Sequence, residues 1–125
     1  MNPQPREAPF MNFAVDTVGD VKIFRLKENR LDTHIASELK AQLLVLLDGE
    51  ELRVLVDLAE TEYADSSGLG ALLLGVRQAR EIGGKFCIFG ARNRVKNLIH
   101  IAHLEDVVQN FADEKSAIDA INSDD

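Results

Sequence analysis

The sequence predicts a single α/β domain, and its central stretch is the clearest sign of that class. The apolar run of residues 52–58 has the composition of a buried strand. A short polar loop follows it and leads into a segment, Leu69 to Ile82, whose apolar residues recur at helical spacing. Because 125 residues are enough for one hydrophobic core and too few for two, these elements belong to one domain.

The composition is that of a soluble globular protein, with 46% apolar and 28% charged residues. A net charge of -7 argues against a nucleic-acid partner, because duplex binding uses clustered Lys and Arg, and it allows a basic protein partner. The chain has no apolar run of about 18 residues and no signal-peptide segment, which predicts a cytoplasmic protein without a membrane partner. Cys87 is the single cysteine and is predicted to be a buried thiol in a strand.

The beginning of the chain predicts a leader followed by a hairpin. Residues 1–10 contain all three prolines and little that can pack, so we expect a flexible leader. The domain is expected to span residues 11–122, with residues 123–125 as a frayed acidic tail. Residues 13–18 and 21–26 alternate around a Gly-Asp turn and are predicted to pair as two strands.

A first helix follows the polar loop of residues 28–32. Asp32 or Thr33 can act as its N-cap, and Asp48 with Gly49 ends it. Its apolar positions at helical spacing are Ile35, Leu39, Leu43, Leu46 and Leu47. The local sequence gives Asp32 no role beyond that of a cap.

The second half of the chain predicts alternating strands and helices. Two glycines end the second helix, and the segments that follow are a strand at 85–89, a helix at 92–103 and a strand at about 107–111. Asp113 is the predicted N-cap of a last helix that carries Ala117, Ile118 and Ile121.

Three basic residues, Arg92, Arg94 and Lys96, lie near the start of the predicted third helix. The helix dipole disfavours cations at that end. Two interpretations stay open, namely a surface contact with a partner and a solvated helix face.

The loop after the central strand carries the strongest functional signal, with Asp65, Ser66, Ser67 and Gly68 in succession at a helix start. The first N–H groups of a helix lack internal partners and its dipole is positive there, so a phosphate on either serine would meet donors. The alternative is that Asp65 or Ser66 is a plain N-cap.

Three glycines, Gly68, Gly70 and Gly75, lie in the helix that this loop begins. An interior glycine costs a helix about 1 kcal/mol relative to alanine, which suggests that something approaches the backbone closely. Packing of the helix on the sheet and room for the nucleotide-binding face of a partner explain this equally well.

Other chemistries fit the sequence poorly. The segment 64–68 is similar to a nucleophile elbow, but only His100 and His103 follow it, both in a helix, and no glycine-rich oxyanion loop is present. Two histidines and Cys87, in a different element, do not make a zinc site, and no phosphate-binding loop of the P-loop type occurs. We therefore expect no catalytic residue, no metal and no cofactor.

Several segments resemble the STAS family, and within it the bacterial anti-sigma-factor antagonists. V-L-V-D-L and A-D-S-S-G-L-G-A-L-L-L carry the likeness most clearly, R-L-K-E-N-R-L-D-T is similar to the family's strand and loop before the first helix, and I-G-G-K-F-C-I-F-G-A-R-N-R-V-K-N-L-I resembles its fourth strand and third helix. The similarity runs in order from about Phe13 to Ile121. It implies a single STAS domain, α/β, with a mixed sheet of four to five strands and about four helices mainly on one face.

The resemblance also implies a function. The unphosphorylated domain would bind an anti-sigma-factor serine kinase and free the sigma factor, the kinase would phosphorylate a loop serine, and a phosphatase would remove the phosphate. Position matching implies Ser67 as the phosphorylated residue, with Ser66 second. The residues implied to contact the partner are Asp32, Asp65, Ser66, Gly68, Leu69 and Gly70. Family members usually have glycine two residues before this Asp32, where the chain has Arg30.

Two alternatives are open within the same family. One is a scaffold subunit of a multiprotein stress-signalling assembly, and the other is a STAS component of a lipid or anion transport system. The sequence does not determine the oligomeric state, and of the possible states a monomer is favoured.

Overall fold

A computed structural model describes residues 11–50 and 52–123. The predicted leader of residues 1–10 and the last two residues of the predicted tail lie outside the described residues. The strands are β1 (Phe13–Val18), β2 (Val21–Leu26), β3 (Arg30–Leu31), β4 (Arg53–Asp57), β5 (Tyr63–Ala64), β6 (Lys85–Phe89) and β7 (Asn110–Phe111). The helices are α1 (Thr33–Leu46), α2 (Ser66–Glu81), α3 (Asn93–Ile101) and α4 (Glu114–Ile121).

The main sheet is mixed and has five strands in the order β1-β2-β4-β6-β7. The β1–β2 hairpin is antiparallel, as predicted, and the pairs β2–β4, β4–β6 and β6–β7 are parallel. Strands β3 and β5 form a second, parallel sheet of two strands. The sequence did not predict this small sheet, because two residues per strand carry no detectable periodicity.

The central strands are buried on both faces, so their sequences read as continuous apolar runs. On one face, Val56 and Ile88 pack in the main core with α1, α2 and α3. On the other face, Leu55 and Cys87 pack with Ile121 of α4. The predicted arrangement, with helices mainly on one face, is confirmed.

The last third of the chain differs from the predicted boundaries. Helix α3 ends at Ile101, and His103 follows it in a left-handed conformation with φ of 59° while the Leu104 amide donates to the Ile99 carbonyl. A turn then takes up most of the predicted strand, because the Val108 amide donates to the Leu104 carbonyl, and β7 is confined to two residues. Within the described ranges, the helices are all too short or too polar to span a bilayer.

Candidate functional site

The predicted site is built where α1 and α2 begin side by side. In the small sheet, Leu31 lies opposite Ala64, so the residues that follow them, Asp32 and Asp65, start the two helices next to each other. The Asp65 amide also donates to the Leu31 carbonyl at 3.2 Å. The two-residue strands therefore bring together two loops that are far apart in the sequence.

Each helix is capped by its own aspartate. The Asp65 Oδ1 atom accepts a hydrogen bond from the Gly68 amide at 3.0 Å, and the Asp32 Oδ1 atom accepts one from the His34 amide at 3.0 Å. The cap of α2 is thus Asp65 and not Ser66. Neither serine side chain caps the helix, so both hydroxyl groups can take part in other contacts or in a reaction.

Thr33 connects the two helix starts through its hydroxyl group. Its Oγ1 atom lies 3.2 Å from Ser67 Oγ and donates to Asp65 Oδ2 at 3.5 Å. Either hydroxyl can donate in the shorter contact between Thr33 and Ser67. The contact holds the Ser67 side chain beside the start of α1.

Sequence reasoning considered Thr33 only as a possible cap and missed this contact. Thr33 and Ser67 are 34 positions apart, and no local pattern relates them. The only signal in the sequence is that a threonine directly follows the capping aspartate of α1. Only the pairing of β3 with β5 turns that position toward Ser67.

The two serines differ in their surroundings. The Ser66 residue is exposed, and its hydroxyl makes no hydrogen bond within residues 11–50 and 52–123. Ser67 is half-buried and is held by Thr33. Ser66 is therefore not held by a hydrogen bond of its hydroxyl in the described residues, whereas Ser67 is held beside Thr33.

Asp32 is held on two sides. Its side chain is 14% exposed, and Arg30 Nε donates to its Oδ2 atom at 3.3 Å. Burial of the Asp32 carboxylate acts to raise its pKa, but the hydrogen bonds from the His34 amide and from Arg30 outweigh that effect and keep the pKa below the ordinary value. Arg30, the residue that replaces the usual glycine, lies with its guanidinium 4.2 Å from the centroid of the Tyr63 ring.

The three glycines of α2 have different surroundings. A Cβ atom on Gly68 would lie 2.3 Å from the Leu31 carbonyl oxygen, and one on Gly75 would lie 2.5 Å from the Phe86 ring. A Cβ atom on Gly70 would meet nothing within 4 Å in the described residues. Packing inside the domain therefore accounts for Gly68 and Gly75, whereas the surface at Gly70 is open.

Leu69, which the sequence assigned to the partner surface, points inward. Its side chain is 7% exposed and belongs to the main core. It fixes the first turn of α2 against the domain. The part of this turn that solvent reaches consists of the exposed Ser66 and the partly exposed Asp65, Ser67 and Gly70.

The other titratable groups considered from the sequence lie elsewhere. His100 contacts the Glu105 carboxylate, and that hydrogen bond lowers the pKa of Glu105. Cys87 is buried, as predicted, and burial raises the pKa of its thiol. Among the described residues, no group of three or more His, Cys, Asp or Glu side chains is placed to hold a metal ion.

The sequence and the fold are similar to those of known proteins. A family model described as the STAS domain matches residues 12–117. The anti-sigma-B factor antagonist of Listeria monocytogenes is 29% identical over 79 residues, which are 63% of this chain and 69% of that protein.

Two solved structures show the same fold. An anti-sigma factor antagonist from Mycobacterium paratuberculosis superposes with a TM-score of 0.78 at 19% identity, covering 94% of this chain and 100% of that one. An anti-sigma-factor antagonist (STAS) domain protein from Planctomyces limnophilus gives 0.77 at 20% identity, covering 89% and 98%.

Proposed function

This chain belongs to the STAS domain family, and we propose that it is an anti-sigma factor antagonist controlled by phosphorylation of Ser67. The unphosphorylated domain binds an anti-sigma-factor serine kinase, which then releases its sigma factor. The kinase phosphorylates Ser67, and a phosphatase restores the hydroxyl. The relative from Listeria monocytogenes, an anti-sigma-B factor antagonist by name, supports this assignment.

The observation that carries the proposal is the oriented hydroxyl of Ser67 at the joint start of α1 and α2. Its Oγ atom lies 3.2 Å from Thr33 Oγ1, which holds the side chain in place, and the half-exposed hydroxyl stays accessible to a phosphate donor. In the transfer, this oxygen forms a bond to the γ-phosphorus of ATP while the bond between that phosphorus and ADP breaks. The serine proton passes to a base on the kinase, because the carboxylate of Asp65 is engaged by the Gly68 amide and Thr33.

The domain can tolerate the phosphate without refolding. Phosphorylation adds a charge of about -1.5 to -2 at neutral pH. Two helix N-termini, those of α1 and α2, place partial positive charge beside Ser67. The side chain is also half-exposed, so the phosphate has access to water.

The complex with the kinase is destabilised by a phosphate on Ser67. Asp32 and Asp65 flank the modified oxygen. A partner surface that fits a neutral hydroxyl group would press the phosphate against these two carboxylates. Like charges at a desolvated interface cost several kcal/mol, and a loss of only about 2.8 kcal/mol weakens binding about a hundredfold. Local repulsion is therefore enough to release the kinase.

The proposed contact surface is the exposed part of the first turn of α2. Ser66 and Gly70 meet the partner directly, and the open space at Gly70 leaves room for its nucleotide-binding face. Gly68 and Leu69 act from inside, because they hold this turn against β3 and the core. Asp32 and Asp65 form the acidic border of the surface.

The test is phosphorylation of the purified protein by the anti-sigma-factor kinases of the same organism, each with ATP, followed by mass spectrometry. We expect phosphate on Ser67. The Ser67→Ala variant should accept no phosphate and stay bound to the kinase, and Ser67→Asp should bind at least tenfold more weakly.

Ser66→Ala is the matched control, since it removes the neighbouring hydroxyl and should be phosphorylated like the wild type. Phosphate on Ser66 alone would show that the site assignment is wrong. If none of these kinases binds or modifies the wild-type protein, the proposed function is wrong.

A further inference from the structure

A groove lies beside the proposed site, between β5 and α3. It has a volume of about 320 Å³ and is lined by Tyr63, Ala64, Arg94, Asn97, Leu98 and Ile101. Its β5 wall leads directly into Asp65 and the serines of α2. Anything that covers Ser67 therefore also comes close to this groove.

The groove has an apolar side that solvent reaches. Ile101 is 72% exposed, which makes it the most exposed large hydrophobic residue of the described ranges. Leu98 and Tyr63 are half-buried beside it. An isolated exposed side chain needs no explanation, but here Ile101 shares one groove with two partly exposed side chains.

The groove also has a cationic rim in a protein whose net charge is -7. Arg94 lines the groove, is exposed and makes no ion pair with any residue that the structure describes. It lies in the first turn of α3, where the helix dipole disfavours cations. On the other side, Arg30 lies over the ring of Tyr63.

From this arrangement we propose that the groove is a second docking surface for the same kinase and receives an acidic segment of that partner with one apolar side chain. The apolar side chain packs on Ile101 and Leu98, and a neighbouring carboxylate pairs with Arg94. This inference rests on the proposed function. It adds that the groove contributes affinity and fixes the orientation of the kinase, whereas phosphorylation of Ser67 controls whether the kinase stays bound.

Two variants test the groove, each with a matched control. Arg94→Glu reverses the charge of the rim, and Arg77→Glu makes the same charge change on an exposed position about 15 Å along α2 from Ser67. Ile101→Ser removes the apolar contact, and Val45→Ser does so at a residue of similar exposure, 69%, near the end of α1. An acidic residue near a helix start favours the helix, so Arg94→Glu should fold as well as the wild type.

The probe is the purified kinase of the same organism that phosphorylates the wild-type protein. We expect Arg94→Glu and Ile101→Ser each to weaken binding about tenfold and to raise KM for phosphorylation by a similar factor, with kcat unchanged because the surroundings of Ser67 are intact. The two control variants should stay within twofold of the wild type.

Three outcomes would overturn the proposal. If the wild type is phosphorylated and both groove variants match their controls, the groove is wrong and the proposed function stands. If the free wild type is a dimer by size-exclusion chromatography and Ile101→Ser makes it a monomer, the groove is a surface between copies of this chain. If no kinase binds the wild type, both proposals are wrong.

Discussion

The hydroxyl of Ser67 is oriented by side chains from two different helix starts. Thr33 Oγ1 lies 3.2 Å from Ser67 Oγ and 3.5 Å from Asp65 Oδ2. A serine hydroxyl without such a partner can rotate among its staggered positions. In the proposed reaction, Thr33 is therefore a positioning residue for the attacking oxygen.

We predict that Thr33→Val slows the phosphorylation of Ser67 and leaves kinase binding nearly unchanged. Valine keeps the shape of threonine but accepts no hydrogen bond, and the loss of one such bond is worth about 1 kcal/mol, or about fivefold in rate. The measurement is kcat and KM for phosphate transfer by the same kinase. The substitution should lower kcat and leave KM nearly unchanged.

The conservative variant Thr33→Ser should restore the rate, because it restores the hydroxyl. Thr17→Val, at an exposed position of β1, is the control for the chemical change itself. A Thr33→Val protein that is phosphorylated at the wild-type rate would contradict the positioning role.

At the scale of the elements, most of the fold could be read from the sequence. The hairpin, the central strand, the four helices and the cap Asp113 follow from periodicity and local chemistry, whereas the sequence left Asp32 or Thr33, and Asp65 or Ser66, open as caps of the first two helices. The small sheet of β3 and β5 could not be predicted, since each strand has two residues. That sheet brings the two helix starts together, which explains why the contact between Thr33 and Ser67 was not predictable.

The glycines of α2 also show what the sequence could not predict. Their spacing indicated that something approaches the helix, but it could not say whether the neighbour is the domain itself or a partner. The Leu31 carbonyl fills the space at Gly68, and nothing in the described residues fills it at Gly70. Two glycines only two residues apart therefore serve different purposes.

We predict opposite effects of alanine at these two positions. Gly68→Ala should lower the melting temperature, because its Cβ atom would collide with the Leu31 backbone and force α2 away from β3, at a cost of about 1–3 kcal/mol. Gly70→Ala should raise it, since alanine favours a helix by up to about 1 kcal/mol and the site is open. Thermal unfolding followed by circular dichroism measures both.

The same pair separates stability from binding. Gly70→Ala adds a methyl group to the proposed contact surface, so this more stable variant should bind the kinase more weakly. If Gly70→Ala binds as tightly as the wild type, the partner does not approach this position. If Gly68→Ala leaves the melting temperature unchanged, the packing of α2 on β3 is not as close as the structure indicates.

At the scale of the whole molecule, the start of α2 and the neighbouring groove carry charges of opposite sign. The net charge of -7 is evident from the sequence, and it allows a partner with basic character. The basic residues near the start of α3 were also evident, but the place of Arg94 beside Tyr63 required the structure. A partner that matches both regions is basic where it meets Asp32 and Asp65 and acidic where it meets Arg94.

We predict that phosphorylation of Ser67 changes the charge of one corner of the molecule and leaves the rest of the fold as it is. The phosphate meets two helix N-termini and water, and the main core does not reach it, because Gly68 and Leu69 hold the first turn of α2 in place. The amide resonances of the protein in two-dimensional NMR spectra, recorded with and without phosphate, measure this. Shifts should be confined to about residues 30–34 and 63–70, the two loops that the small sheet joins.

Ser67→Ala treated with the same kinase and ATP is the control and should show none. Shifts that spread to α4, which packs on the opposite face of the sheet from α2, would mean that the phosphate acts by rearranging the fold, and local repulsion would then be the wrong account of the switch.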